Sequence, residues 1–131
     1  MRNLVLLIIG IALGALTAST LINAVNRRAA YPRGVMQVMQ HHFGTLRDAV
    51  RAGQCKGPST ALHADRLRSL ADEVEPSVFA DATADPPFRE YLLRLRAALD
   101  EMPSTDGDCK ALAPIIAKIG NACDECHRQY R

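Results

Sequence analysis

The chain has 131 residues, enough for one domain, with sixteen basic and fourteen acidic residues and a formal net charge of +2. The basic residues form no clustered face, which argues against nucleic acid as a partner. Only 5% of the residues are aromatic and none is tryptophan, so a small core has little bulk of its own unless a bound group supplies it.

The N-terminal region is an apolar segment that carries no charge from Leu4 to Asn26, with Arg2 before it. About 18 apolar residues suffice to span a bilayer, and a secretory signal has the same basic start and apolar centre. We therefore predict that residues 1–28 are a signal peptide or an uncleaved transmembrane anchor, and both alternatives stay open. Residues 29–131 are predicted to form the exported domain, with thirteen basic residues against fourteen acidic ones, a formal charge of −1.

Four segments with helical periodicity follow, separated by prolines and glycines. The first helix is predicted from near Pro32 to about Ala52, closed by Gly53. The second is predicted to begin after residues 58–60 with a hydroxyl cap, to stop at Pro76 and to be the shortest. Their apolar stripes are Met36, Met39, Phe43, Leu46 and Val50 in the first, and Leu62, Leu67, Leu70, Ala71 and Val74 in the second.

A predicted loop over residues 76–87 holds Val78 and Phe79, which we expect to fold back onto the core. The third helix is predicted to begin at Asp85, followed by two prolines that suit a first turn. The fourth is predicted to begin near residues 111–113, because a proline inside it would be unfavourable. No strand is predicted. The stripes are Phe88, Tyr91, Leu92, Leu95, Leu99 and Met102 in the third helix, and Leu112, Ile115, Ile116, Ile119, Cys123, Cys126, His127 and Tyr130 in the fourth.

Near the C-terminus the chain reads Cys123-Asp124-Glu125-Cys126-His127, a C-x-x-C-H motif. In that spacing two thiols can add across the vinyl groups of a haem while the adjacent imidazole binds its iron. A thioredoxin-like site would need a β-α-β context, and a zinc site would need a second pair of closely spaced ligands; the sequence shows neither. The motif therefore predicts one covalent haem c per chain, held by Cys123, Cys126 and His127.

The motif continues the apolar stripe of the last helix, so the haem is expected inside the helical domain, near one end. Short connections favour an all-α fold, an up-and-down antiparallel four-helix bundle preceded by the hydrophobic segment. In that topology the start of the first helix and the end of the fourth lie at the same end. Arg33, Met36 and Met39 are then expected near the iron.

Three stretches resemble the class II c-type cytochromes, the cytochrome c′ family: the tail 122–131, the run Tyr31-Pro32-Arg33-Gly34-Val35-Met36 and the following His42-Phe43-Gly44. The resemblance covers roughly residues 31–131, although the second helix and the loops look shorter than usual for the family. It implies an arginine beside a haem propionate, and Arg33 stands one residue from the expected place. Relatives of this kind are often dimers, so a homodimer stays open.

The side chain over the other face of the haem decides between electron transfer and gas binding. A thioether gives six-coordinate iron, whereas an apolar side chain leaves the iron open to nitric oxide or carbon monoxide. Met36 resembles the axial ligand of the Met-ligated branch of the family, so we predict it as the sixth ligand, with core packing as the alternative and Met39 in reserve. Three histidines are competing ligands for which surface or half-buried positions are expected: His41, His42 and His63.

Three functions follow from this reading. The favoured one is a single-electron carrier, periplasmic or tethered to the inner membrane, with redox proteins as partners. The second is a gas-binding protein with five-coordinate iron. The third is a haem-free, membrane-anchored helical module whose cysteines only cross-link. No acid/base pair, nucleophile arrangement or phosphate-binding loop is visible, so no enzymatic activity is expected.

Two further cysteines are left once the motif has taken its pair. Cys55 follows the first helix and Cys109 precedes the fourth, so up-and-down topology brings both to the end opposite the haem. An oxidising compartment favours a disulfide between them, with two buried free thiols as the alternative. Closing a loop of that length would contribute about 4 kcal/mol in the chain-entropy model.

Overall fold

The computed structural model describes residues 2–79, 82–103 and 108–130, which form α-helices packed against each other, with no strand among them. The all-α class is confirmed. The chain divides into two compact units, Met1–Arg33 and Gly34–Arg131. The helices are α1 (Arg2–Ala52), α2 (Pro58–Val78), α3 (Pro86–Asp100) and α4 (Cys109–Gln129).

The N-terminal unit contains the apolar segment. Among the described residues, α1 is the one helix long and apolar enough to cross a bilayer, and its most apolar window has a mean hydropathy of 2.0 with none of it buried. The hydroxyl groups of Thr17, Ser19 and Thr20 donate to backbone carbonyls three or four residues earlier, which satisfies them within the helix. Signal sequences meet the same criteria, so the choice between signal and anchor stays a prediction.

The end of α1 agrees with the sequence and its beginning does not. α1 ends at Ala52, and Gly53 follows with a φ of 70°, a conformation that glycine adopts without strain. The helix is continuous from Arg2 and contains Pro32 in its interior, so the predicted start near Pro32 is wrong. An interior proline removes one backbone hydrogen bond and its ring crowds the carbonyl four residues earlier, so the continuous helix bears that cost at Pro32.

α2 differs from its prediction at both ends. It begins with Pro58 in its first turn behind Gly57, which has no side chain to cap, so the predicted hydroxyl cap is wrong. The predicted stop is wrong as well, because α2 passes through Pro76 and the amide of Phe79 closes its last turn with a 2.9 Å bond to the carbonyl four residues earlier. Phe79 packs against the core as expected, whereas Val78 is 41% exposed.

α3 begins where the sequence predicts. Oδ1 of Asp85 accepts a 2.8 Å hydrogen bond from the amide of Phe88, an N-cap that replaces one bond missing from the first turn. With 15 residues α3 is shorter than α2 with 21, so the prediction that the second helix is the shortest is wrong. Tyr91 is half-buried, and the rest of the predicted stripe is buried: Phe88, Leu92, Leu95, Leu99 and Met102.

α4 begins at Cys109, earlier than the predicted 111–113, and contains Pro114 in its second turn. The side chain of Asp108 caps it by accepting a 3.3 Å bond from the amide of Lys110, and this cap starts the helix ahead of the proline. The predicted break between the third and fourth helices falls partly on residues 104–107, which lie outside the described residues.

α3 and α4 pack side by side in opposite directions. The hydroxyl of Tyr130, just after α4, donates to Oδ1 of Asp85 at the start of α3 at 2.6 Å. Nζ of Lys118, midway along α4, lies 2.6 Å from a carboxylate oxygen of Glu101 just past the end of α3. The core of the second unit draws on all four helices, and its largest fully buried side chains are Leu46, Cys55, Leu67, Leu99 and Ile119.

Candidate functional site

The C-x-x-C-H motif occupies the last turns of α4, where it extends a buried stripe. Ile116, Ile119 and Ala122 are buried, and Cys123 and Cys126 come next as half-buried residues packed against the core. Residues three or four apart share one face of a helix, so the packing of the earlier residues fixes the direction of both thiols. Within the described residues, both cysteines are free.

These cysteines face a cavity of about 550 Å³ bounded by α1, α2, α3 and α4. The cavity brings together five of the six residues predicted to hold the haem or its iron. From α1 come Met36, half-buried, and Met39, which is only 7% exposed; from α4 comes His127, exposed at the cavity rim. The remaining two are Cys123 and Cys126.

The cavity suits a large, mostly apolar group. Ligand pockets typically hold about 300–1,000 Å³ and are lined by apolar side chains with a few polar groups. Here aliphatic and aromatic side chains from the core, including Phe43, Phe88 and Leu92, supply the walls. Two thiols, an imidazole and a thioether project among them, which is the donor set that a covalent haem requires. The residues present therefore fit the group.

The raised pKa values of the two thiols argue against a disulfide oxidoreductase. Burial, followed by the charge of Asp124, raises the pKa of Cys123 to about 11, and burial also raises the pKa of Cys126. A disulfide oxidoreductase depends on a thiolate whose pKa is lowered by nearby positive groups, and the shifts here have the opposite direction.

Side chains of α3 hold the motif-bearing end of α4 in place. Arg94 lies between Glu90 on its own helix, at 2.6 Å, and Glu125 inside the motif, at 3.1 Å. The hydroxyl of Tyr91 is 3.1 Å from a side-chain oxygen of Gln129. These contacts are solvent-exposed and individually weak, but together with the Tyr130 hydrogen bond they fix the rotation of the last turns.

Two arginines that the sequence reading did not select also line the cavity. Arg47 lies with its guanidinium 5.9 Å from the ring centre of Phe43, and its buried Nε makes no hydrogen bond among the described residues. Arg51 lies one turn further along α1. Phe43, Arg47 and Arg51 are four residues apart, so both arginines lie on the same helix face as the predicted stripe. That spacing is the sequence signal that could have identified the two arginines. Arg33 is exposed and belongs to the N-terminal unit, so its predicted role stays a prediction.

A larger cavity, of about 880 Å³, lies at the other end of α4, but it includes none of the motif residues. Cys55 and Cys109 stand at its wall with their Cα atoms 5.2 Å apart, which is within the range of a disulfide. The predicted pairing of these two cysteines is confirmed, in that the two side chains lie at disulfide distance. Fourteen residues of helix separate Cys109 from Cys123, roughly 21 Å along α4.

The three histidines occupy the surface or half-buried positions expected of them, and they also form a cluster. Nδ1 of His42 on α1 lies 2.7 Å from Nδ1 of His63 on α2, and the ring of His41 is 6.0 Å from that of His63. Sequence alone could not find this contact, because it depends on how α1 and α2 are aligned. None of the three histidines lines the cavity of the C-x-x-C-H motif.

Within the part of the chain that the structure describes, no group of three His, Cys, Asp or Glu side chains is arranged to hold a metal ion. Comparison with protein-family models, with curated proteins and with solved structures finds no match for the chain. The resemblance to class II cytochromes therefore depends on residues 31–36, 42–44 and 122–131 alone, and the geometry of the site is the evidence that bears on function.

Proposed function

We propose that this protein is a class II c-type cytochrome, an up-and-down antiparallel four-helix bundle that binds one covalent haem and carries single electrons. The observation that supports it best is the shared cavity: the thiols and imidazole of the C-x-x-C-H motif on α4 face the same space as Met36 on α1. The apolar segment ahead of the bundle supports export, to the periplasm or to a tether on the outer face of the inner membrane.

Each residue of the motif has one task in this proposal. Cys123 and Cys126 hold the haem by thioether bonds, and their i, i+3 spacing presents both thiols on the same side of α4. His127, with its imidazole, and Met36, with its thioether, are the side chains that would hold the iron. The bound haem supplies a one-electron couple between ferrous and ferric iron.

The other cavity residues set the surroundings. Met39, nearly fully buried, packs against the group and keeps water from the Met36 side. Arg47 lines the same cavity with a buried Nε that makes no hydrogen bond among the described residues, and the Asp48 carboxylate lies 4.0 Å from it. The role that the family resemblance gives to Arg33 stays a prediction.

The decisive experiment is the absorption spectrum of the full chain, expressed in a host that matures c-type cytochromes. A pyridine haemochrome spectrum typical of two thioether links, with low-spin ferrous and ferric spectra, is the expected result. Colourless protein without the mass of a haem would overturn the proposal and leave a haem-free helical module.

Carbon monoxide separates the electron carrier from the gas-binding alternative. With Met36 bound, reduced protein should not react with carbon monoxide at once, because the sixth position is filled. Rapid, stoichiometric binding with a high-spin starting spectrum would instead assign the open, five-coordinate site of a gas-binding protein.

A further inference from the structure

The histidine cluster between α1 and α2 has no role in the haem site. The ring centres of His42 and His63 are 5.0 Å apart, those of His41 and His42 are 5.3 Å apart, and His41 and His63 are 6.0 Å apart. His42 and His63 are half-buried and His41 is exposed, so the cluster is open to small solutes. Its closest contact joins the Nδ1 atoms of His42 and His63 at 2.7 Å.

Two ring nitrogens this close can bind one cation. When both imidazoles are neutral, only one of the two facing Nδ1 atoms can carry the proton, and the other keeps its lone pair. A metal ion can replace the shared proton. Two nitrogens about 2.0–2.1 Å from one ion at a tetrahedral angle stand roughly 3.3 Å apart, so the rings need to separate by about 0.6 Å and to turn until both lone pairs meet at the ion.

Burial lowers the pKa of His42, and the positive charges of His63, His41 and Arg66 lower it further. The direction of this shift favours the neutral imidazole, which is the form that binds metals. Arg66 also repels a bound cation, which limits the affinity and offers a way to test the site.

We propose that His42 and His63 form a two-histidine site for a divalent late first-row transition ion, bound through the two Nδ1 atoms and linking α1 to α2. Imidazole suits copper, nickel and zinc, and copper(II) binds most tightly in that series. Water completes the coordination. The site uses none of the residues assigned to the haem, so it stands whether or not the haem proposal does.

Copper(II) is the probe, added from a buffered solution to the full chain in detergent, with any free thiol alkylated beforehand. The electron paramagnetic resonance spectrum should show superhyperfine coupling to two imidazole nitrogens. Because copper binds the folded protein and spans two helices, the thermal midpoint should rise by roughly 5 °C at saturating metal.

Substitutions assign the ligands. His42→Ala and His63→Ala should each weaken binding at least about tenfold, since loss of even an outer-shell partner costs 10–100-fold. His41→Ala is the matched control, a neighbouring histidine on the same helix, and should leave the affinity nearly unchanged. Arg66→Gln should tighten binding by removing a like charge.

Two results would overturn the site. One is a wild-type spectrum with a single nitrogen or none, which is independent of whether any variant folds. The other is copper affinity that survives replacement of both His42 and His63 but is lost in His127→Ala, which would place the metal in the haem cavity instead.

Discussion

The two cysteine pairs of this protein lie at opposite ends of α4, and one pair is at bonding distance whereas the other is free. Cys55 and Cys109 lie at bonding distance, with Cys55 1% exposed, and join the end of α1 to the start of α4. Cys123 and Cys126 are unpaired, half-buried and turned towards a cavity. One end of the fold, the closed end, is joined by its own sulfur atoms, whereas the other, the open end, presents two free thiols to a cavity.

The comparison shows that local geometry decides the chemistry of identical side chains. The paired cysteines are 54 residues apart and meet only because the helices return to the same end. The unpaired ones are three residues apart on one helix face, where two thiols and an adjacent imidazole line the same cavity. Substitutions at the two ends should therefore change different properties: haem attachment at the open end and stability at the closed end.

The largest effect is expected at the open end. Replacing Cys123 and Cys126 together by serine should abolish covalent haem attachment, because no other thiol lines the cavity within the described residues. Haem staining after denaturing electrophoresis and intact mass measure this directly. The matched control replaces Cys55 and Cys109 and should retain the haem; staining that persists without Cys123 and Cys126 would contradict the assignment.

The closed end should carry the larger stability effect. Removing the Cys55–Cys109 link releases a loop with a sequence separation of 54 residues, and the chain-entropy model gives a loss of about 4 kcal/mol in the free energy of unfolding. Denaturant unfolding of the Cys55→Ser/Cys109→Ser double variant measures it. Reductant should destabilise the wild type and leave the variant unchanged; equal sensitivity of both would contradict a disulfide.

Within the open end, two methionines sharpen the assignment of the iron ligand. Met36→Ala should convert the low-spin spectrum to a high-spin one that binds carbon monoxide, because the sixth position loses its sulfur. Met39→Ala is the matched control, a methionine of the same cavity, and should keep the low-spin spectrum while lowering stability by about 2–5 kcal/mol. The reverse pattern would make Met39 the ligand.

The same division explains how far the sequence could be read. Helical periodicity predicted the four helices and most of their apolar stripes, and residue type predicted the Asp85 cap, since these depend on neighbours within one helix; Leu62 of the second stripe is 52% exposed, so its place in the stripe was wrong. The helix bounds predicted from Pro32, Pro76 and Pro114 were wrong, because whether a helix tolerates an interior proline depends on packing and capping elsewhere. The motif could be recognised from spacing alone, whereas the cavity arginines and the His42–His63 contact depend on how separate helices align.

The smallest effect is expected at Tyr130. Its hydrogen bond joins the end of α4 to the start of α3 at the open end, as the disulfide joins α1 to α4 at the closed end. Its hydrogen bond to Asp85 lowers the pKa of that carboxyl and raises the pKa of Tyr130 to about 12. The stabilisation from Asp85 is present above its ordinary pKa of 3.8 and is lost as pH falls through its lower folded value. The contribution of Tyr130 is present below its ordinary pKa of 10.0 and is lost as pH rises towards about 12.

Tyr130→Phe should therefore lower the thermal midpoint slightly, by an amount that is constant between about pH 4 and pH 10 and disappears outside that window. The edge-on contact of this ring with Phe88, 5.1 Å between centres, remains in the variant, so any change reports the hydroxyl alone. Tyr91→Phe removes a neighbouring hydroxyl with a different partner and should show no such pH window. If the difference in thermal midpoint between wild type and Tyr130→Phe grew below pH 4, the Asp85 carboxylate would not stabilise the open end. Ring packing and the Arg94 ion pairs would then be what holds that end together.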